Sequence, residues 1–164
     1  MPAILVTSGH AAIAAAVKAG TLHLAWGTGN VAWDAQQPND YAPGVGETAL
    51  VAEIGRRAAS QKLFCTPDAN GELYTPSGRF TASVSPTRYL YCRFDFDYTD
   101  APAAEIREAG VFIGTEIDAG VPGGTTYFVP GDLDSPGTLL ILERFPKIVR
   151  STSVRQSFEH VLTL

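Results

Sequence analysis

The chain has 164 residues, of which 45% are hydrophobic and 18% charged, and its formal net charge at pH 7 is −5. This length predicts one domain that buries roughly 70% of its unfolded surface, and the charged share lies below the ~25% of ordinary soluble domains. Two explanations stay open: a surface partly covered by partner proteins, or ordinary variation in composition. The scattered lysines and arginines argue against nucleic acid and anionic membranes as partners, because both require a basic face.

The cysteines and the opening residues indicate the compartment. Cys65 and Cys92 each lie in an apolar, strand-like run, which predicts buried free thiols rather than a disulfide or a metal site. The segment 1–6 lacks the basic start of a signal peptide, and its apolar run is too short for one. No stretch approaches the ~18 apolar residues that span a bilayer. We therefore expect a protein that is synthesised in a cytoplasm and is not inserted in a membrane.

The first third of the chain predicts two helices, one strand and a long loop. An alanine-rich run over residues 7–20 predicts the first helix, and the alternation over residues 21–26 predicts a half-buried strand. A polar, proline-containing stretch over residues 31–46 predicts an exposed loop. Apolar residues spaced i, i+4 and i+8 then predict a second helix from residue 47 to about residue 60.

From residue 61 onward the pattern is mostly that of β-strands. The clearest signal spans residues 88–98, where apolar side chains alternate with polar or aromatic ones, which predicts a long antiparallel strand with one apolar face. Pro102 is a good first residue of a helix, so we expect one helical turn over residues 103–108. Further short strands are expected at residues 62–66, 72–74, 79–84, 110–114, 125–129, 138–143 and 154–164.

These elements together predict a mainly β fold, an antiparallel β-sandwich with two or three short helices. Because the sequence contains no internal repeat and no linker-like stretch, we expect a single domain over residues 1–164. Within it, a helix–strand part covers about residues 1–60 and a β-rich part covers about residues 61–164.

The sequence offers no recognisable catalytic, cofactor-binding or metal-binding motif. The segment Gly27–Gly29 lacks the third glycine and the lysine of a phosphate loop, so a turn that ends a strand is the better interpretation. His10, His23 and His160 lie far apart, without ligands at metal-site spacing. Neither cysteine shows an activating context, and no serine occupies a nucleophile elbow. We expect no enzyme activity, no cofactor and no metal.

Two aspartates on the long strand are the strongest alternative to that view. Asp95 and Asp97 are expected on one strand face, about 6–7 Å apart by the rise per residue. That spacing suits a cation or an acid/base pair of a hydrolase, whereas a solvated strand face or an intersubunit ion pair is the preferred interpretation. Tyr89 and Tyr91 on the same face leave a third option open, a platform that binds a carbohydrate or a receptor.

Two tryptophans complete the set of candidate interface residues. Trp26 and Trp33 flank the turn at residues 27–30, where they either anchor a contact with another protein or attach the loop to the core. The second role is preferred. The candidate interface residues are therefore Trp26, Trp33, Tyr89, Tyr91, Asp95 and Asp97.

Several segments follow one another in a recognisable order. The opening Leu5–Ala16 combines a helix start with a small-residue helix, and Trp26–Gly29 ends a strand in a glycine-x-glycine turn. Glu47–Arg57 has the pattern of an acidic-led helix, an aromatic strand follows, and Ile106–Phe112 reads IREAGVF. These segments resemble tail-fibre and baseplate proteins of tailed bacteriophages, of the collar-fibre type, and the most specific part is the similarity of Ile106–Phe112 to their IRExGxF segment. The resemblance covers roughly residues 1–115 in separate pieces.

The resemblance implies a structural part of the virion tail, in the baseplate or at the attachment of a fibre, that acts through protein–protein contacts. It implies a symmetric homo-oligomer, with a trimer as one option, bound to other tail proteins. It carries over no catalytic residue. With it, Arg107 and Glu108 are expected to form an ion pair that braces the short helix against the strand at Gly110, or else a surface pair that contributes little stability. The alternatives are a receptor- or carbohydrate-binding β-domain, or another virion part such as a capsid decoration or neck protein.

Overall fold

The computed structural model describes residues 1–164 and shows a mainly β chain. It contains one α-helix, α1 (Thr7–Ala19), and three short 3₁₀ helices at Val31–Ala35, Pro38–Tyr41 and Pro130–Asp132. The strands, in chain order, are β1 (Leu22–Gly27), β2 (Glu53–Ala58), β3 (Gln61–Pro67), β4 (Leu73–Thr75), β5 (Gly78–Ser83), β6 (Tyr89–Phe96), β7 (Glu105–Ile113), β8 (Glu116–Ile117), β9 (Tyr127–Phe128), β10 (Leu133–Ser135), β11 (Thr138–Val149) and β12 (Gln156–Thr163). The predicted mainly β, antiparallel class is confirmed.

The chain forms two compact units whose segments alternate along the sequence. The first unit consists of Met1–Gly20, Ala59–Asp95 and Ser157–Leu164, and the second unit consists of Thr21–Ala58 and Phe96–Gln156. Each unit contains one five-stranded sheet. The predicted single domain stays a prediction.

The first unit combines helix α1 with a sheet of strand order β12-β6-β3-β5-β4. The predicted first helix is confirmed. Lys62 on β3 donates hydrogen bonds from Nζ to the carbonyl oxygens of Lys18 and Gly20, at 2.7 and 2.8 Å. A cation at a helix C-terminus satisfies carbonyls that have no partner within the helix, so Lys62 fixes the end of α1 to the sheet.

Strand β6 is the predicted aromatic strand. Leu90, Cys92, Phe94 and Phe96 are fully buried, which confirms the apolar face. The opposite face is less exposed to solvent than predicted, because Tyr91 is also buried and packs with Cys65 and Phe80. The reason is the position of β6 between β12 and β3, since a central strand is covered more completely than an edge strand.

The second unit has the strand order β11-β7-β1-β2-β9, with antiparallel neighbours throughout. Strand β1 is buried at every position, so the predicted half-buried strand is wrong in its exposure. Alternation in the sequence could not show this, because His23 and Ala25 occupy the face that was expected to meet water. As the central strand of five, β1 is covered on both faces.

The second predicted helix, over residues 47–60, is absent. Residues 47–52 form a loop and β2 begins at Glu53. The i, i+4 spacing of Leu50 and Ile54 satisfies a helix locally, but β2 pairs with both β1 and β9, and these pairings outweigh helix propensity. Glycine is needed at position 55 of β2, because a Cβ there would lie 2.1 Å from the hydroxyl oxygen of Tyr127.

The predicted helical turn over residues 103–108 is also wrong. Ala101 and Ala103 adopt positive φ angles of 43° and 65°, which interrupt any helix after Pro102. Strand β7 then begins at Glu105 and is nearly all buried, because it pairs with β1 on one side and β11 on the other. The stability that this segment gains by pairing with two neighbouring strands therefore makes it a strand.

Candidate functional site

The segment IREAGVF, on β7, holds a long loop that consists of residues 28–52 and is called here the anchored loop. Glu108 is fully buried, and its carboxylate accepts hydrogen bonds from the backbone N–H groups of Val51 and Ala52, at 3.1 and 2.8 Å. A buried carboxylate requires such donors, because its charge would otherwise be left uncompensated away from water. Glu108 therefore fixes the end of the anchored loop where β2 begins.

Arg107 fixes the start of the same loop. Its Nε and Nη2 atoms donate to the two carboxylate oxygens of Asp34, both at 2.7 Å, and Nη1 donates to the carbonyl oxygen of Thr28 at 3.2 Å. The hydrogen bonds from Arg107 lower the pKa of Asp34 to about 2. When a guanidinium binds both oxygens of one carboxylate, the two hydrogen bonds fix the relative orientation of the groups in addition to the attraction between their charges.

The predicted ion pair between Arg107 and Glu108 is not what the structure shows. Arg107 pairs with Asp34 and Glu105, whereas Glu108 binds backbone amides and lies 3.9 Å from Nε of Arg144. Neighbouring residues on a strand project to opposite faces, so each side chain finds partners on its own side of the sheet.

Arg144 on β11 holds the middle of the anchored loop. Its Nη1 and Nη2 atoms donate to the two carboxylate oxygens of Glu47, and Nη1 also donates to the carbonyl oxygen of Tyr41 at 3.2 Å. The pKa of Glu47 lies below its usual range because of a hydrogen bond from the N–H of Gly44, with Arg144 adding to the effect. The guanidinium lies 4.8 Å from the ring of Trp33, which stacks on Tyr41.

Trp26 and Trp33 both lie in the second unit, with different exposure. Trp26 is fully buried, stacks on Phe96 with a centroid distance of 3.7 Å, and donates from Nε1 to the hydroxyl of Tyr127 at 3.0 Å. Trp33 is half-buried and contacts Tyr41 and Arg144 of its own unit. Both tryptophans therefore make extensive contacts within the chain itself.

The tyrosines and the aspartates of β6 are divided between the units. Tyr89, Tyr91 and Asp95 belong to the first unit, and Asp97 belongs to the second. Tyr89 is half-buried, whereas burial of Tyr91 raises the pKa of its phenol to about 12. With Tyr91 buried, the proposed carbohydrate platform retains one accessible ring, that of Tyr89.

Each of the two aspartates is held by partners of its own unit. Asp95 accepts hydrogen bonds from the hydroxyls of Ser60 and Ser157, at 2.6 and 2.5 Å. Burial alone would raise the pKa of Asp95, but these hydrogen bonds and that from Arg93 leave it below its usual value. Asp97 accepts from the N–H of Tyr98 and from Arg155, which lower its pKa in that order. Both carboxylates are therefore ionised acceptors at neutral pH.

The cysteines match the sequence-based prediction. Cys65 and Cys92 are free and buried, and burial raises the pKa of their thiols to about 11 and about 12. The structure contains no group of three or more histidine, cysteine, aspartate or glutamate side chains that could hold a metal ion. No helix is both long and apolar enough to cross a membrane.

His23 makes the stability of the chain depend on pH. It is buried on β1, its Nδ1 has no hydrogen-bond partner, and burial together with the charge of Arg56 lowers its pKa from 6.5 to about 4. Between pH 6.5 and pH 4, His23 is protonated in the unfolded chain but stays neutral in the folded chain. The free energy of unfolding therefore falls as the pH drops from 6.5 to 4. We expect this loss to reach roughly 2 kcal/mol after allowance for solvent screening.

The measurement is urea unfolding of the wild type and of His23→Leu between pH 4 and pH 8. The difference in unfolding free energy should be constant above pH 7 and should shift in favour of the variant below pH 6.5. Carboxylates titrate equally in both proteins and cancel in the difference. A pH-independent difference would show that His23 does not titrate as described.

A consecutive run of exposed apolar residues lies at the start of the chain, in the segment Met1–Val6, called here the arm. The side chain of Ile4 is 81% exposed, and Leu5 and Val6 are also exposed. One hydrogen bond involves the arm, from the N–H of His10 to the carbonyl of Val6. Sequence reasoning considered this apolar run only as a signal peptide and missed it as a surface.

Helix α1 continues the apolar surface of the arm. Lys18 is the only lysine or arginine of the helix, which has no acidic residue. Its exposed positions are Thr7, Ser8, Ala12, Ile13, Ala16 and Ala19. A helix on a protein surface normally turns charged or strongly polar residues to water, so an outer face of mostly small and apolar residues is unusual.

A second surface feature is a groove in the second unit, called here the β11 groove. It lies between residues 43–45 and Glu47 of the anchored loop and residues 139–142 of β11, and its volume is about 260 Å³. Val45 stands fully exposed at its rim. The four residues of β11 that line it are Leu139, Leu140, Ile141 and Leu142.

These features define a mainly β protein whose buried charges hold its own loops and which exposes a consecutive run of apolar residues on an arm that leads into a helix. Comparison with protein families identifies the group: the chain belongs to the family described as baseplate wedge 3 tail fiber network component, whose model matches residues 2–164. It is thus a phage baseplate and tail-fibre protein, as its resemblance implied. Among curated proteins, none matches the chain in sequence.

Proposed function

We propose that the chain is a non-catalytic joining part of the tail baseplate, which works by binding copies of itself and other virion tail proteins. The observation that carries this proposal is the apolar surface formed by the arm and the outer face of α1. Leaving such a surface in water costs free energy that contact with another protein recovers, at about 25 cal/mol for each Å² removed from water.

The charged residues support the same proposal. Arg107, Glu108 and Arg144 bind the anchored loop instead of converging on a cleft, and each carboxylate that they contact is occupied. A part that transmits force between neighbours benefits from loops that keep one conformation, because contacts on a rigid loop lose little entropy on binding. The family supports a place in the virion tail.

The experiment is light scattering coupled to size-exclusion chromatography, on the wild type and on two variants. We expect the wild type to elute as an oligomer at micromolar concentration and Ile4→Asp to dissociate, because a charge on the arm would have to be desolvated in the contact. Val84→Asp is the matched control, since Val84 is equally apolar and fully exposed but lies outside the arm and α1. Equal masses for Ile4→Asp and the wild type would remove the arm from the contact.

A further inference from the structure

The β11 groove has two walls, and contacts within the chain itself hold both of them in place. Arg144 fixes Glu47 on the loop side. On the strand side, Leu139 and Leu142 pack against the buried cluster of Ala25, Leu50 and Phe112. A groove whose walls are already fixed loses little conformational entropy when it binds.

The size and lining of the groove indicate the class of its occupant. Ligand pockets for small molecules usually measure about 300–1,000 Å³ and combine apolar walls with convergent polar groups. The β11 groove, at about 260 Å³, has Glu47 as its only charged lining residue, and Arg144 already binds that carboxylate. Its chemistry suits apolar side chains of an extended peptide segment.

Strand β11 adds a second argument for an extended segment. It has a sheet neighbour on one side only, β7, so it is an edge strand. Edge strands accept an additional strand through backbone hydrogen bonds, while pockets for alternate side chains select its sequence. The residues of β11 that line the groove span about 13 Å at the ~3.3 Å rise of a strand.

The chain itself carries a segment that matches. We propose that the arm, Met1–Val6, of one copy lies in the β11 groove of a second copy as an added extended segment. The arm can span about 20 Å when extended, which exceeds the length of the groove. It has no charged side chain and offers Ile4, Leu5 and Val6 to the leucine-rich wall. Val6 is already in an extended conformation, with φ −86° and ψ 165°.

A second copy is the expected occupant because the arm and the groove are different surfaces. A contact between unlike surfaces passes from one copy to the next and produces a ring or an open chain. This inference rests on the proposed function and names the partner surface of the arm.

The test is disulfide trapping between two single-cysteine variants. Ile4→Cys and Val45→Cys proteins are purified separately, mixed and oxidised mildly, and we expect a crosslinked heterodimer in the mixture. Both positions are exposed, and the native Cys65 and Cys92 are buried, so they do not compete. A mixture of Ile4→Cys with Val84→Cys is the matched control, because Val84 is as exposed as Val45 but lies outside the groove.

Heterodimer in the first mixture alone would support the proposal, and equal yields in both mixtures would overturn it. Val45→Asp should also weaken self-association roughly tenfold or more, as Ile4→Asp does, since each variant places a charge in the same apolar contact. The double variant should weaken self-association by less than the product of the two single effects, because both substitutions act on the same contact. If Ile4→Asp weakens self-association and Val45→Asp does not, the arm binds elsewhere: this inference fails and the proposed function stands. A wild-type chain that neither self-associates nor binds tail proteins contradicts both.

Discussion

Replacing Arg56 with alanine is expected to lower the free energy of unfolding by about 3–5 kcal/mol, the range seen when one partner of a buried ion pair is removed. Arg56 lies on β2 and is fully buried. Its Nε and Nη2 atoms donate to Glu53, both at 2.8 Å, and Nη1 donates to the hydroxyl of Thr115 and the carbonyl of Pro136, at 2.8 and 2.7 Å. The guanidinium also lies 4.3 Å from the ring centroid of Phe112.

The alanine variant would leave a cavity together with acceptors that have lost their donor. Arg56→Lys should recover only part of the loss, because one ammonium group cannot reproduce the fork that binds Glu53, Thr115 and Pro136. Urea unfolding measures the effect, and Arg155→Ala is the control, since Arg155 is an exposed arginine that pairs with Asp97. If Arg56→Ala were no more destabilising than Arg155→Ala, the buried guanidinium would not hold these segments together.

Glu108→Ala is the second substitution with a large expected effect. It deprives the backbone amides of Val51 and Ala52 of their acceptor and removes a carboxylate close to Arg144. We expect a loss of about 3 kcal/mol in unfolding free energy, with the anchored loop released before the sheet unfolds. Glu108→Gln keeps an oxygen and most of the volume, so it should cost less.

Hydrogen exchange detects the local part of this effect. The amides of Val51 and Ala52 should exchange much faster in Glu108→Ala than in the wild type, while the amides of β6 should be accelerated only as far as the loss of global stability dictates. Glu116→Ala, a change at an exposed carboxylate on β8, serves as the control. Unchanged protection of Val51 and Ala52 would mean that Glu108 is not the anchor of this loop.

The elements that the sequence predicts correctly are those whose conformation follows from local pattern. Helix α1 follows from its alanine content, and β6 follows from strict alternation with aromatic side chains. The segment 47–60 fails because its i, i+4 spacing is compatible with a helix, while pairing with β1 and β9 stabilises a strand. Local pattern contains no information about such neighbours.

The anchors of the loop could not be predicted for the same reason. Glu108 contacts amides 56 and 57 residues away, and Arg107 contacts Asp34 at a separation of 73 residues. Adjacent opposite charges in the sequence suggest a pair, although on a strand they face opposite sides. What the sequence did contain was the apolar run of the arm, which is visible as Ile4, Leu5 and Val6 without a charged neighbour.

The mass of the unmodified chain in solution tests most directly whether it is built to join copies of itself. Light scattering over a rising micromolar concentration range should give a mass that increases from the 17.4 kDa of one chain, to a fixed multiple of it for a closed ring or without a limit for an open chain. The same chain should bind purified baseplates that lack it. A mass that stays at 17.4 kDa throughout, together with no binding to baseplates, would contradict the account.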